Sequence, residues 1–224
     1  MLLNEVFNQM KSQYLHGKFY GLENGVPTKT ILSVAGRYRV FLSFDTTHVF
    51  KNFYGNFQTY KNFEFPSFKD GVLNGDLSIR ANFNDLQVLY DIEINQPERK
   101  AYKLNQKILH PKSIEKLNAQ LAVGCFHDST INALRYYSTR GYPEFEGTAD
   151  FLQVIRNWFS IFNVKSLYSG QKSRNPFQNP IHKSEDDNLK FLEKFFDWLS
   201  LWETSNGKAW RAKGSRSRRF RPGK

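Results

Sequence analysis

The chain has a single cysteine, Cys125, among 224 residues. An intrachain disulfide is therefore excluded, and so is any cysteine-based zinc site. That scarcity fits a reducing compartment, nucleus or cytoplasm, and not secretion. No apolar run reaches the ~20 residues needed to span a bilayer, so no membrane partner is expected. The N-terminal stretch MLLNEVFNQMKSQYLHGK has no continuous apolar core, so it does not read as a signal peptide. Several catalytic signatures are missing as well: the Gly-x-Ser-x-Gly elbow, the HExxH zinc helix and the G-x-x-x-x-G-K-[ST] phosphate loop. Gly170-Gln171-Lys172-Ser173 is too short to stand in for the last of these. A nucleotide site in this chain has to be built another way.

What is present is apolar and aromatic. Forty percent of the residues are hydrophobic, and 21 Phe and 11 Tyr supply large surfaces to bury. This is a globular composition, long enough for one large domain or two small ones. The formal net charge of +11 suggests a polyanionic partner. Much of it lies in one place. Lys208, Arg211, Lys213, Arg216, Arg218, Arg219, Arg221 and Lys224 form an acid-free tail. Without them, 24 basic residues face 21 acidic ones, so the basic signal belongs mainly to that tail.

Along the chain, residues 5–15 suit a short helix and 16–30 a loop. Residues 37–44 (RYRVFLSF) read as a buried strand closed by Asp45. A helix is expected from Thr46 to about Tyr60. Residues 61–80, with Pro66, Gly71 and Gly75, look irregular. Helices are expected over 82–94, from Pro111 through Ile114, Leu117, Leu121, Ala122 and Cys125, and from an Asp128-Ser129 cap through Ile131, Leu134 and Tyr137. Thr148 is placed as the cap of a helix carrying Phe151, Leu152, Ile155, Trp158, Phe159 and Phe162, apolar nearly all round and so buried. Residues 169–188 read as a long loop. The last helix carries Leu189, Leu192, Phe196, Leu199 and Trp202, and Asn206-Gly207 should stop it.

Asp45 has two readings. A carboxylate at the end of a buried strand can hold Mg²⁺, and two-metal phosphoryl transfer needs two or three of them together. An Asp before Thr-Thr-His is equally the pattern of a helix N-cap. His48 and Lys51 lie near each other on the following helix, facing phosphates or solvent. Asn163 and Lys165 likewise admit two roles. The amide can both donate to and accept from a purine edge. Alternatively, Asn163 ends the helix and Lys165 offsets its negative terminus.

Four ordered stretches resemble P-element-type, THAP-associated DNA transposases: FDTTHVFKNFYGNF, AYKLNQKILHPKSIEKLNAQLAVGCFHDSTINAL, TADFLQVIRNWFSIFNVKS and NLKFLEKFFDWLSLW. Their order and spacing agree over roughly residues 38–204. The resemblance implies a ribonuclease-H-like catalytic domain interrupted by a helical GTP-binding insertion. The implied fold class is α+β, mostly α. A small strand-containing ribonuclease-H-like remnant (1–63) would precede the helical insertion domain (64–206) and a basic disordered tail (207–224).

By the same resemblance Asp45 matches a catalytic, metal-binding Asp. Lys116 matches a phosphate-contacting Lys and Asn163 a guanine-contacting Asn, with Lys165 beside it. The implied ligands are GTP and, in a complete transposase, Mg²⁺. The implied partners are DNA, a full-length transposase or a second copy of the chain.

Two departures qualify this. Ser160 stands where the family pattern has an Asp, and a hydroxyl cannot accept both donors of the guanine edge. No Asp precedes Asp45, and no acid follows the last helix. The expectation is a truncated or decayed transposase-derived chain that does not cut or join DNA alone. Asp45 could still serve a site completed by another chain. The alternative is a non-enzymatic helical oligomerisation or inhibitor module.

Overall fold

Asp45 starts the first long helix as a cap should. Helix α1 spans Thr46–Tyr60, and the Asp45 carboxylate accepts from the amides of Thr47 and His48. The computed structural model describes residues 22–23, 26–27, 45–69, 78–115, 118–182 and 186–214, the last segment as backbone only beyond Trp202. The expected helix at 5–15 and strand at 37–44 lie outside the described residues. The short strands β1 (Leu22–Glu23) and β2 (Val26–Pro27) pair antiparallel.

Val49, Phe50, Phe53, Tyr54 and Phe57 recur at helical spacing on α1 and are all buried. The helix ends at Lys61, whose φ of 64° turns the chain directly into a strand. That strand, β3 (Asn62–Pro66), pairs antiparallel with β4 (Ser78–Asn82), Asn62 opposite Asn82 and Pro66 opposite Ser78. The irregular segment expected at 61–80 is thus corrected to the two arms of a hairpin. The signal was the alternation Asn-Phe-Glu-Phe: Phe63 and Phe65 are buried, Asn62 and Glu64 exposed. Pro66 is at the strand end, where it is tolerated.

Among the described residues, seven further helices and a 3₁₀ turn follow. Helix α2 is Asn84–Glu93 and α3 is Gln106–Leu109, capped by Asn105. Helix α4 is Ala119–Cys125, capped by Asn118. It does not open at Pro111, and Ile114 is 79% exposed instead of lying on its stripe. Helix α5 is Asp128–Ser138, with His127, not Asp128, as its cap. Helix α6 is Phe145–Phe162. The expected loop at 169–188 contains a short helix, α7 (Ser169–Ser173), and a 3₁₀ turn at Pro176–Gln178. Helix α8, Asp187–Gly214, runs through Asn206-Gly207 instead of stopping there.

Helix α6 is the spine. Phe151 is its hub, with ring centroids 5.1 Å from Phe57, 5.4 Å from Phe63, 5.6 Å from Phe65 and 6.2 Å from Trp202. One apolar cluster runs from Val49 to Trp202 and joins α1, the hairpin, α2, α4, α5, α6 and α8. Each fully buried Phe or Leu in it contributes roughly 1.5–3 kcal/mol. The expected division at residue 63 therefore falls inside β3, and α1 shares the core of the helices after it.

Thr148 is not a cap. It is buried within α6, where its Oγ1 accepts from the Asn82 amide at 2.9 Å and donates to the Asp85 carboxylate. One hydroxyl thus ties α6 to the end of β4 and the start of α2. Burial raises the Asp85 pKa above its ordinary value, and the Thr148 bond opposes that rise. On the other side of α1, Tyr54 Oη donates to the Ile108 carbonyl at 2.6 Å and Gln58 Nε2 to the Leu109 carbonyl at 3.2 Å. These are terminal carbonyls of α3, which a four-residue helix cannot satisfy itself.

Candidate functional site

Two aromatic contacts set the relation between the candidate residues. Phe50 stacks on Phe159 with centroids 3.9 Å apart, and Phe57 packs on Phe151 at 5.1 Å. Helices α1 and α6 therefore run antiparallel. Asp45 lies five residues before Phe50 and Asn163 four after Phe159. At 1.5 Å per residue each is about 6–8 Å beyond its ring, so both emerge at the same end of the helix pair. Sequence spacing alone gives no hint of this, because the two residues lie 118 positions apart in the chain.

At that end Asp45 is exposed. Its Oδ1 accepts from the amides of Thr47 at 2.9 Å and His48 at 3.2 Å. The structure thus places it in the N-cap role. His48 is exposed and Lys51 half-buried. Among the described residues, no group of three or more His, Cys, Asp or Glu side chains is placed to hold a metal ion. The described residues do not fit a two-metal centre, which needs several carboxylates around one ion pair.

Asn163 is the C-cap of α6: its backbone amide donates to the Phe159 carbonyl at 2.9 Å. Its side-chain amide, half-buried, makes no hydrogen bond among the described residues. Lys165 is exposed two residues on. Ser160 points inward, fully buried, and its Oγ accepts from Asn175 Nδ2 at 3.2 Å. The same Asn175 caps the Pro176–Gln178 turn by accepting from the Phe177 amide at 3.0 Å. Ser160 therefore clasps the following loop against α6 and is not offered to a ligand. Lys116 lies outside the described residues.

A second feature was not read from the sequence. An open cleft of about 410 Å³ lies at the opposite end of α1. Lys61, Asn62, Asn82, Asn84, Gln87 and His110 line it, with Phe83 as the aromatic wall. Lys61 Nζ sits 4.7 Å from the Phe83 ring centre, and His110 Nε2 is 2.9 Å from Gln87 Oε1. Three asparagines near the hairpin ends were the available signal, and only the β3–β4 register brings Asn62 beside Asn82.

Residues 48–176, more than half of the chain, match the family described as the TNP-like, GTP-binding insertion domain. The chain belongs to that family. The match runs from α1 through α7 and contains Ser160, Asn163 and Lys165; Asp45 lies just ahead of it. The chain is also similar to the Transposable element P transposase of Drosophila melanogaster, 32% identical over 66 residues, which are 29% of this chain and 9% of that protein. The Drosophila P element transposase strand transfer complex matches with 16% identity and a TM-score of 0.44, over 77% of this chain and 41% of that one. The resemblance to P-element-type transposases holds at the level of family, and the chain spans less than half the length of these relatives. Its fold is α+β, mostly α, as expected. Among the described residues no helix is long and apolar enough to cross a membrane.

One titratable group in this family domain has a structural duty with a sign. His127 Nδ1 accepts from the Ser129 amide at 3.0 Å and caps α5, which requires that nitrogen to be unprotonated. Burial lowers the His127 pKa; Asp128 opposes the shift, and Arg156 and Lys103 add to it. The folded state thus prefers the neutral ring. The cap's contribution is fully present above the unfolded value of about 6.5 and is lost as pH falls below that, through the depressed value of the folded state. In thermal melts, the melting-temperature difference between wild type and His127→Asn should shift against the wild type from pH 7.5 to pH 5, since an Asn cap does not titrate. A difference constant across that range would rule out the cap as the cause.

Proposed function

We propose that this chain binds a guanine nucleotide at the end of the α1–α6 pair, with Asn163 and Lys165 as its contacts. The observation that carries the reading is the Asn163 side chain. It is a half-buried amide with no hydrogen bond among the described residues, at a helix end, two residues from an exposed ammonium. Guanine presents N–H donors on its edge. The Asn163 Oδ1 and the last carbonyls of α6, which have no partners within the helix, are acceptors for them. Lys165 supplies charge for phosphates. Because Ser160 is engaged with Asn175, base recognition rests on Asn163 and not on the position where the family pattern carries Asp. Membership of a family described as GTP-binding supports the same ligand. In a complete transposase such a domain would serve a DNA partner and a nuclear site of action.

Calorimetric titration with GTP tests this. Wild type should bind, Asn163→Ala should weaken binding about tenfold, as loss of roughly 1.4 kcal/mol of hydrogen bonding implies, and ATP should bind less well. Absence of heat with wild type, or equal affinity in the variant, would refute the reading.

A further inference from the structure

The turn at 100–103 lies along α5 and carries an unusual run of cations on aromatic rings. Lys100 Nζ is 4.3 Å from the centre of the Tyr136 ring, and the Arg140 guanidinium is 3.7 Å from the same centre. Lys103 Nζ is 5.6 Å from the Tyr102 ring, which meets the His127 ring edge-on at 5.6 Å. Tyr102 is 63% exposed and Tyr136 37% exposed, although both are large aromatics. The strip runs from His127 at the start of α5 to Tyr136 and Arg140 at its end.

Three physical points follow. First, two like charges share one ring, and no ion pair to Lys100, Lys103 or Arg140 occurs among the described residues. The acid at the near end, Asp128, is taken up by Arg156 at 3.1 Å. Helix-terminal charge explains part of this, since Arg140 Nη1 donates to the Tyr136 carbonyl at 3.0 Å. It explains neither lysine. Second, nine residues separate His127 from Tyr136, about 14 Å along the helix axis. A single phosphate reaches one end of such a strip; a phosphodiester strand, with a charge every few ångströms, reaches both. Third, an exposed Tyr face beside lysines is the arrangement on which unpaired bases stack, at roughly 1–3 kcal/mol per base.

We infer that the Lys100–Lys103 turn and the facing side of α5 form a docking strip for a single-stranded nucleic acid, with phosphates on Lys100, Lys103 and Arg140 and a base on Tyr102. The inference does not depend on the guanine-nucleotide reading, because the strip shares no residue with Asn163 or Lys165.

Fluorescence anisotropy with a labelled oligothymidine of about 12 nucleotides, a length within the usual site sizes, tests it on the full chain. Wild type should bind with a marked salt dependence. The double variant Lys100→Glu, Lys103→Glu should bind at least about tenfold more weakly and show a shallower salt slope. Tyr102→Ala should weaken the oligothymidine and leave a duplex of equal length unaffected. All three residues are exposed, so unchanged circular dichroism is expected of both variants, and their GTP titrations should match the wild type. If the double variant binds as tightly as wild type, the basic tail carries the affinity and the strip is not the site. If Tyr102→Ala weakens duplex and single strand alike, or neither, the stacking assignment is wrong.

Discussion

Trp198→Ala should lower stability by about 3–5 kcal/mol, the range for truncating a buried Trp or Phe. For a chain of this size that is a fall of roughly 10 °C in melting temperature. The side chain is fully buried, its ring centroid 5.9 Å from Phe65, 5.7 Å from Phe68, 5.6 Å from Phe195 and 5.0 Å from Trp202. It is the main peg by which α8 enters the core that β3 and α6 have built. Its Nε1 also donates to the Pro66 carbonyl at 2.7 Å, across 132 residues of sequence. Alanine therefore leaves a cavity and an unpaired buried carbonyl together. Trp198→Phe separates the two: it keeps most of the ring and loses the bond, at a cost of about 1–3 kcal/mol. Denaturant or thermal unfolding of both variants is the check. A loss below about 1 kcal/mol in Trp198→Ala would show that α8 contributes little to the folded core.

Gly147→Ala should also destabilise, by about 1–3 kcal/mol, although alanine is the better helix former by about 1 kcal/mol. A Cβ at position 147 would lie 2.3 Å from the Arg80 carbonyl oxygen and 2.9 Å from Ile79 Cγ2. The first of these is backbone in the β3–β4 ladder and cannot rotate away. Nor can α6 slide aside, because the next residue, Thr148, is bonded to Asn82 and Asp85 on the same strand and helix. Gly55 gives the internal comparison. It lies within α1, and a Cβ there meets nothing within 4 Å. Gly55→Ala should raise stability by up to about 1 kcal/mol. Chemical denaturation of the pair should give opposite signs. The same sign in both would mean that propensity, and not the approach of α6 to β4, governs position 147.

The contrast between these glycines shows where reading along the chain succeeds and where it stops. The helices α1, α2, α5, α6 and α8 were legible because each buries a stripe at 3.6-residue spacing long enough to rise above composition. Phe50 and Phe57, Ile131 and Leu134, Phe151 and Trp158, Leu199 and Trp202 all fall on buried faces. Helix ends were less legible. Thr148 and Asp128 have cap chemistry, but the same hydroxyl and carboxylate are spent on Asn82, Asp85 and Arg156, partners that lie far off in sequence. The hairpin was missed because five residues of alternation are outweighed locally by nearby Pro and Gly.

The candidate site divides in the same way. Asp45 as a cap is local chemistry: a carboxylate facing two free amides at the start of a helix, readable from four residues. The family is legible too, since four ordered stretches survive as sequence. That Asp45 and Asn163 share one end of the molecule was decided only by the antiparallel packing of Phe50 on Phe159. That Ser160 turns inward was decided by its clasp with Asn175, and that Lys100 and Arg140 meet on one tyrosine by the path of the 100–103 turn over α5. Periodicity and capping act over one or two turns of backbone, so the chain carries them itself. Which ends meet, and which hydroxyl is spent inside, depend on burying one aromatic core, and that is a property of the whole fold.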